Sequence, residues 1–148
     1  MENITTNKKA HFEYFILKKF EAGINLQGCE VKSIRLGHVS INESFVTFRH
    51  NEAFIHNMFI KTYDKTKSYA PDERKTRKLL LHKSEILELS EKVQQKGLTC
   101  VPLRLYFDRQ FVKVEIGLCK GKLLHDKRET IKKRDLEKSV QRELKMRV

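Results

Sequence analysis

The sequence predicts a mainly β protein, a small antiparallel barrel with two or three short helices and a basic C-terminal tail. Three observations carry this. Apolar and polar residues alternate in at least five short runs, the period of half-buried strands. Turn signals rather than long helical patterns separate those runs, which favours hairpins over crossover connections. The cationic excess then gathers at one end, where the alternation stops.

Taken in order, residues 1 to 10 are polar and read as a flexible lead-in to the barrel at 11 to 120. From Phe12 to Leu26 the apolar residues fall mostly on even positions, which predicts a strand with a bend allowed at Gly23. Gly28 introduces a short helix with Val31 and Ile34 on one side, and Gly37 can end it in a left-handed cap. Phe45–Phe48 and Ala53–Ile55 flank the polar quartet Arg49-His50-Asn51-Glu52 and read as a hairpin. Residues 61 to 78 lack an apolar period and read as an exposed loop, long enough to suggest a functional one. Leu79-Leu80-Leu81 reads as a buried run. Ser84 and Glu85 can then cap a helix that shares Ile86, Leu89 and Val93 on one face and stops at Gly97. Val101–Phe107 and Val112–Leu118 alternate around Asp108-Arg109-Gln110, a second hairpin. An OB-like barrel is the nearest common form for this set.

The tail, residues 121 to 148, differs in kind. From Lys120 onward there are eleven Lys and Arg against five acids, +6 of the chain's +12. Leu136, Val140, Leu144 and Val148 form a narrow stripe, and Glu129/Lys133 and Glu143/Arg147 are one turn apart. Each such pair contributes only ~0.3 kcal/mol to a helix, against a backbone ordering cost of ~1 kcal/mol or more per residue. The expectation is disorder in the free chain and a helix on a phosphate-rich partner, with a helix docked on the barrel as the alternative.

Charge and composition narrow the function. A pI near 9.7 with an uneven basic balance points to nucleic acid, because cationic contacts to phosphate release counterions. Three scattered cysteines suit neither a disulfide framework nor a zinc site, and no apolar run suits a signal or a membrane span. No phosphate-cradling loop, nucleophile elbow or paired metal ligands appear, so neither enzyme, metal nor cofactor is expected. Two features suit RNA. Arg74, Lys75, Arg77 and Lys78 follow Tyr69-Ala70-Pro71, and Glu21, Gly23, Glu30 and Lys32 cluster around a turn where carboxylates can accept from amino groups or ribose hydroxyls.

These residues together closely resemble the SmpB family of bacterial tmRNA-binding proteins. The resemblance rests on Asn7-Lys8-Lys9-Ala10, Phe20-Glu21-Ala22-Gly23-Ile24, Leu26-Gln27-Gly28 and Glu30-Val31-Lys32-Ser33-Ile34-Arg35. It continues through Arg77-Lys78-Leu79-Leu80-Leu81, Lys113-Val114-Glu115-Ile116-Gly117, Lys120-Gly121-Lys122 and His125-Asp126-Lys127-Arg128. It implies a cytoplasmic adaptor, monomeric when free, that binds the tRNA-like domain of tmRNA and delivers it to stalled ribosomes. It also implies a tail that occupies the empty messenger path against small-subunit ribosomal RNA, and no membrane partner. Carried over, Glu21 and Leu80 match tmRNA-facing residues, with Lys32, Arg35, Arg77 and Lys78 in motifs nearby and His82 where asparagine is usual. His125, Asp126, Lys127 and Arg128 match the ribosome-binding tail, whose further cations include Lys122, Lys132, Lys133 and Arg134. Rival readings are a general single-strand binder, a nucleic-acid-modifying enzyme and a basic helix on an anionic membrane.

Overall fold

In the computed structural model, the residues described are 2–62, 72–94 and 97–122, and the tail beyond Lys122 lies outside them. Among these residues nine strands and three helices occur. The chain opens with β1 (Glu2–Thr6), then α1 (Lys8–Glu13) and β2 (Tyr14–Ile24). Next come α2 (Gly28–Arg35), the two-residue β3 (Val39–Ser40), β4 (Phe45–Arg49), β5 (Glu52–His56) and β6 (Phe59–Ile60). β7 (Arg77–Leu80), α3 (Lys83–Val93), β8 (Leu98–Asp108) and β9 (Phe111–Gly121) complete it.

Antiparallel pairing runs β8-β4-β5-β7-β2-β9, and β9 returns to β8, so six strands close a ring. The expected barrel is therefore present. Closure works because β8 and β9 are long and bent. β8 shifts register between Pro102 and Arg104, a bulge that lets one edge serve β4 at Cys100 and β1 at residues 104–107. β2 divides its edges similarly, with β9 along its length and β7 only at Gly23 and Ile24. Ala22, Ala53, Ile55, Leu79, Leu105, Val114 and Ile116 point inward and are essentially fully buried.

Turn chemistry holds the hairpins. His50 and Asn51 both take positive φ (51° and 60°), the backbone of a two-residue turn that matches strand twist. The second hairpin also turns on two residues, Arg109 and Gln110, with Asp108 already paired to Phe111. α2 starts with the Gln27 N–H donating to Glu30 Oε1 at 3.0 Å and ends at Gly37, whose φ of 80° suits glycine.

Five expectations are corrected. The segment expected to be a flexible lead-in is structured: β1 covers the part of β8 that β4 leaves open, and buried Asn7 caps α1 while donating to the Ile41 and Pro102 carbonyls. That partner lies about a hundred positions away, so no local pattern announces it. The strand expected from Phe12 begins instead at Tyr14, because α1 takes the residues before it. The long loop is interrupted by order at its end, since Arg77 and Lys78 lie in β7, while 63–71 lie outside the described residues. Leu79-Leu80-Leu81 alternates rather than being wholly buried: Leu79 is core and Leu80 is 56% exposed. α3 also starts before Ser84, with the His82 N–H donating to Glu85 at 3.2 Å.

Candidate functional site

Register places one row of residues across four strands. Gly23 on β2 lies opposite Leu80 of β7 on one side and Lys113 of β9 on the other, and Lys113 lies opposite Tyr106 of β8. Directly opposed residues on antiparallel strands share a face, and their sequence neighbours Leu79, Ala22, Val114 and Leu105 fill the core, so the row lies on the outer side of the sheet, where Tyr106 is covered and only 2% exposed. Gly23 makes room in it. A Cβ there would sit 3.3 Å from the Cβ of Leu80, tighter than ordinary contact, so the missing side chain lets Leu80 lean across β2. One side of Leu80 opens into a cleft of about 450 Å3 with Glu21, His82 and Lys113 on its walls. The other side opens into an apolar groove of about 240 Å3 that includes Ile24, Val31 and Phe111, the last 62% exposed.

Glu21 is one row along β2, directly opposite Glu115 of β9. Two carboxylates so placed repel, and cations offset them. Lys113 Nζ approaches Glu21 at 3.9 Å, Arg104 Nε donates to Glu115 at 3.1 Å, and Lys19 Nζ lies 3.8 Å from Glu115. The Arg104 guanidinium covers the Tyr106 ring at 4.4 Å. Burial, and then the neighbouring Glu21 carboxylate, push the Tyr106 phenol well above its usual pKa, so its hydroxyl stays protonated. The Glu21 side chain is 54% exposed and keeps acceptor capacity for an amino group or a ribose hydroxyl. Exposed ion pairs contribute ~1 kcal/mol or less, so Lys113 can exchange Glu21 for phosphate at little cost.

The structure divides the residues picked out by sequence. Glu21, Gly23, Leu80 and His82 converge on the cleft. Lys32 and Arg35 are exposed on α2, where the Arg35 guanidinium lies 5.1 Å from the centre of the Phe107 ring. Lys78 is exposed and pairs with Glu52 at 3.3 Å. Glu30 and Arg77 are different: each is 3% exposed, and they bind one another. Arg77 donates Nε to Glu30 Oε2 at 2.7 Å, its second nitrogen lies 2.6 Å from the same oxygen, and the third reaches the Met58 carbonyl at 2.6 Å. Neither side chain is placed to touch an external nucleic acid, which corrects the expectation that they form part of that surface. They tie α2 to β7 instead. The tail residues His125, Asp126, Lys127, Arg128, Lys132, Lys133 and Arg134 lie outside the described residues, and Lys122 is the last within them.

Sequence reasoning missed Tyr106, Lys113 and Phe111 as site residues. The available signal was the hairpin, since a two-residue turn at Arg109 and Gln110 sets Tyr106 opposite Lys113 by counting back from the turn. No group of three or more His, Cys, Asp or Glu side chains among the described residues is arranged to hold a metal ion, and no helix there is long and apolar enough to cross a membrane.

The family model for SmpB protein matches residues 4–146. An SsrA-binding protein of Acholeplasma laidlawii is 53% identical over 145 residues, covering 98% of this chain and 97% of its own. One from Geotalea uraniireducens is 51% identical over 144 residues, with 97% and 95% covered. A solved chain described as "tmRNA-SmpB: a journey to the center of the bacterial ribosome" superposes with a TM-score of 0.69 at 44% identity, covering 86% of this chain and 93% of that one.

Proposed function

We infer the function from the fact that this chain belongs to the SmpB protein family. It is an RNA-binding adaptor, not an enzyme: it binds tmRNA and acts with it on the ribosome. In finer detail, the barrel takes the tRNA-like domain of tmRNA on the face built around Gly23, and the basic tail from 121 to 148 enters the messenger path of a stalled ribosome. Its place of work is the cytoplasm.

The observation that carries this reading is the placement of the two basic features along one strand. β9 carries Lys113 beside the cleft and Gly121 at the root of the tail. Eight residues of strand separate them by roughly 26 Å at ~3.3 Å per residue. A barrel so arranged holds one RNA at one end and roots its arm at the other, as an adaptor between two RNAs requires. Within the cleft, Glu21 supplies an exposed acceptor, Leu80 apolar contact and Lys113 phosphate neutralisation, while Phe111 in the adjoining groove and the exposed Lys78, Lys32 and Arg35 outside it extend the surface. Glu30 and Arg77 act by fixing α2 against β7.

A salt-titrated binding measurement with the tRNA-like domain tests it, using the whole chain and a chain ended after Lys122. Both are expected to bind with similar affinity, to prefer the folded domain over a random single strand, and only the whole chain is expected to support rescue of stalled ribosomes. Loss of domain binding on truncation, or equal competition by the random strand, refutes this division of labour.

A further inference from the structure

The cleft beside Gly23 sets a carboxylate and an ammonium side by side without joining them. Glu21 Oε1 and Lys113 Nζ stand 3.9 Å apart, close enough to attract but beyond hydrogen-bond reach, and their side chains are 54% and 30% exposed. Both line the cleft. The other acids of this face are engaged. Glu115, opposite Glu21, accepts from Arg104 at 3.1 Å and lies 3.8 Å from Lys19 Nζ, and Glu85, which also lines the cleft, accepts from the His82 N–H at 3.2 Å. Glu21 and Lys113 are thus the acceptor and the donor placed to meet a ligand together.

Room for that ligand comes from Gly23. Its missing side chain lets Leu80, 56% exposed, lean across β2 and give the cleft an apolar surface on which a flat ring can lie. The cleft holds about 450 Å3, roughly three times the ~150 Å3 that takes a single benzene ring, so a fused purine and its ribose have space.

The polar pair selects among bases. A carboxylate is an acceptor at both oxygens, and an ammonium only donates. Along its Watson–Crick edge guanine presents two adjacent donors, N1–H and N2–H2, and then the O6 acceptor, so two oxygens and one ammonium satisfy the whole edge. Adenine and cytosine offer a carboxylate a single donor group, and the lone N–H of uracil lies between two carbonyls that repel it. The edge is open to protein only where the base is unpaired, as in the single-stranded loops that sequence-specific RNA readers use. Free guanine nucleotides carry the same edge. Lys113 is the one lysine or arginine lining the cleft, beside two carboxylates, which suits a base whose phosphates lie outside better than a nucleotide polyphosphate.

We propose that this cleft reads one unpaired guanine of the bound RNA, Glu21 accepting from N1–H and N2–H2 while Lys113 donates to O6. The proposal rests on reading the Gly23 face as the surface that takes the tRNA-like domain, and names what that face selects. The test uses the full chain and the tRNA-like domain of tmRNA, made with inosine in place of one unpaired guanosine at a time. Inosine keeps N1–H and O6 and lacks only the N2 amino group. At one position the exchange is expected to weaken binding about tenfold, because a site built around a donor rejects the analogue without it. In Glu21→Gln, which keeps the size and offers one acceptor, the native RNA is expected to bind about tenfold more weakly and the same exchange to cost less than about twofold, the coupling expected of groups in contact. The melting temperature of that variant is expected to match the native chain, because the side chain is exposed. If no inosine position weakens binding, or if the loss is as large in Glu21→Gln, the proposal is overturned. Free 5′-GMP is expected to displace the domain only at concentrations far above those of the unlabelled domain, and displacement at equal concentration overturns the RNA source. Leu80→Ala separates the two readings. Undiminished domain binding in that variant refutes the Gly23 face as the RNA surface, whereas weakened binding together with indifference to inosine refutes the guanine reading alone.

Discussion

Replacing Glu30 by glutamine separates a residue that touches RNA from one that holds the surface which does. In the native barrel both carboxylate oxygens are occupied: Oε2 by two Arg77 nitrogens at 2.7 and 2.6 Å, Oε1 by the Gln27 N–H at 3.0 Å and by Lys75 Nζ at 3.4 Å. Glu30→Gln keeps the volume and removes the charge, leaving the buried Arg77 guanidinium without its counterion. Breaking a buried pair from one side costs about 3–5 kcal/mol. For a domain of this size that lowers the melting temperature by roughly 10 °C or more. Thermal or urea unfolding of the variant measures it, beside tRNA-like domain binding per folded molecule at a temperature where the variant is folded. Stability is expected to fall and affinity to stay within about threefold. The double variant Glu30→Met/Arg77→Leu is expected to recover part of the loss, because removing both charges removes the orphan. An unchanged melting temperature with tenfold weaker binding would refute the reasoning and return Glu30 to the RNA surface.

Other perturbations have opposite signatures. Leu80→Ala removes a side chain that is 56% exposed, so stability is expected to change by about 0.5 kcal/mol or less while binding of the tRNA-like domain weakens severalfold, measured on the same samples. Gly117→Ala places a Cβ 2.8 Å from Leu103 Cδ1, and since Leu103 is fully buried the overpacking is expected to cost about 1–3 kcal/mol in chemical denaturation. In alkali the barrel is expected to weaken. Burial pushes the Cys119 thiol from 9.0 up to about 11, so between those pH values the unfolded chain releases a proton that the folded chain retains, and stability present below pH 9 is lost as pH rises toward 11. The loss is on the order of 2–3 kcal/mol, and Cys119→Ala should flatten that part of a stability-against-pH curve. Tyr106, also raised by burial, adds a loss of the same sign above pH 10.

Much of the fold was legible locally. Strand alternation located both hairpins, and Gly37 and Gly97, with φ of 80° and 85°, mark chain reversals that need a residue without Cβ. The N-terminal segment was not legible, because β1 has no amphipathic pattern of its own and owes its order to an open edge of β8. In the candidate site, Glu21 and Gly23 were picked out from the charged turn, Leu80 and His82 from the family resemblance, and all four line one cleft. Lys113 and Tyr106 were passed over since a lysine or tyrosine in an alternating run reads as an ordinary outward or half-buried position until register shows what stands beside it.

By itself the sequence determined the class of protein: a β chain of short alternating runs, a cationic C-terminal stretch, and motifs that identify the family. Those properties are set by neighbours a few positions apart, through side-chain period, backbone φ and charge density. Only the tertiary structure decided which charged motif residues reach solvent. Glu30 and Arg77, 47 positions apart, vanish into a shared core pair, whereas Leu80, in a run that looked uniformly buried, stands on the surface beside Gly23. The physical reason is ring closure. Which strand edge meets which, and in what register, depends on satisfying every backbone hydrogen bond around the barrel at once, a condition no local stretch of chain contains.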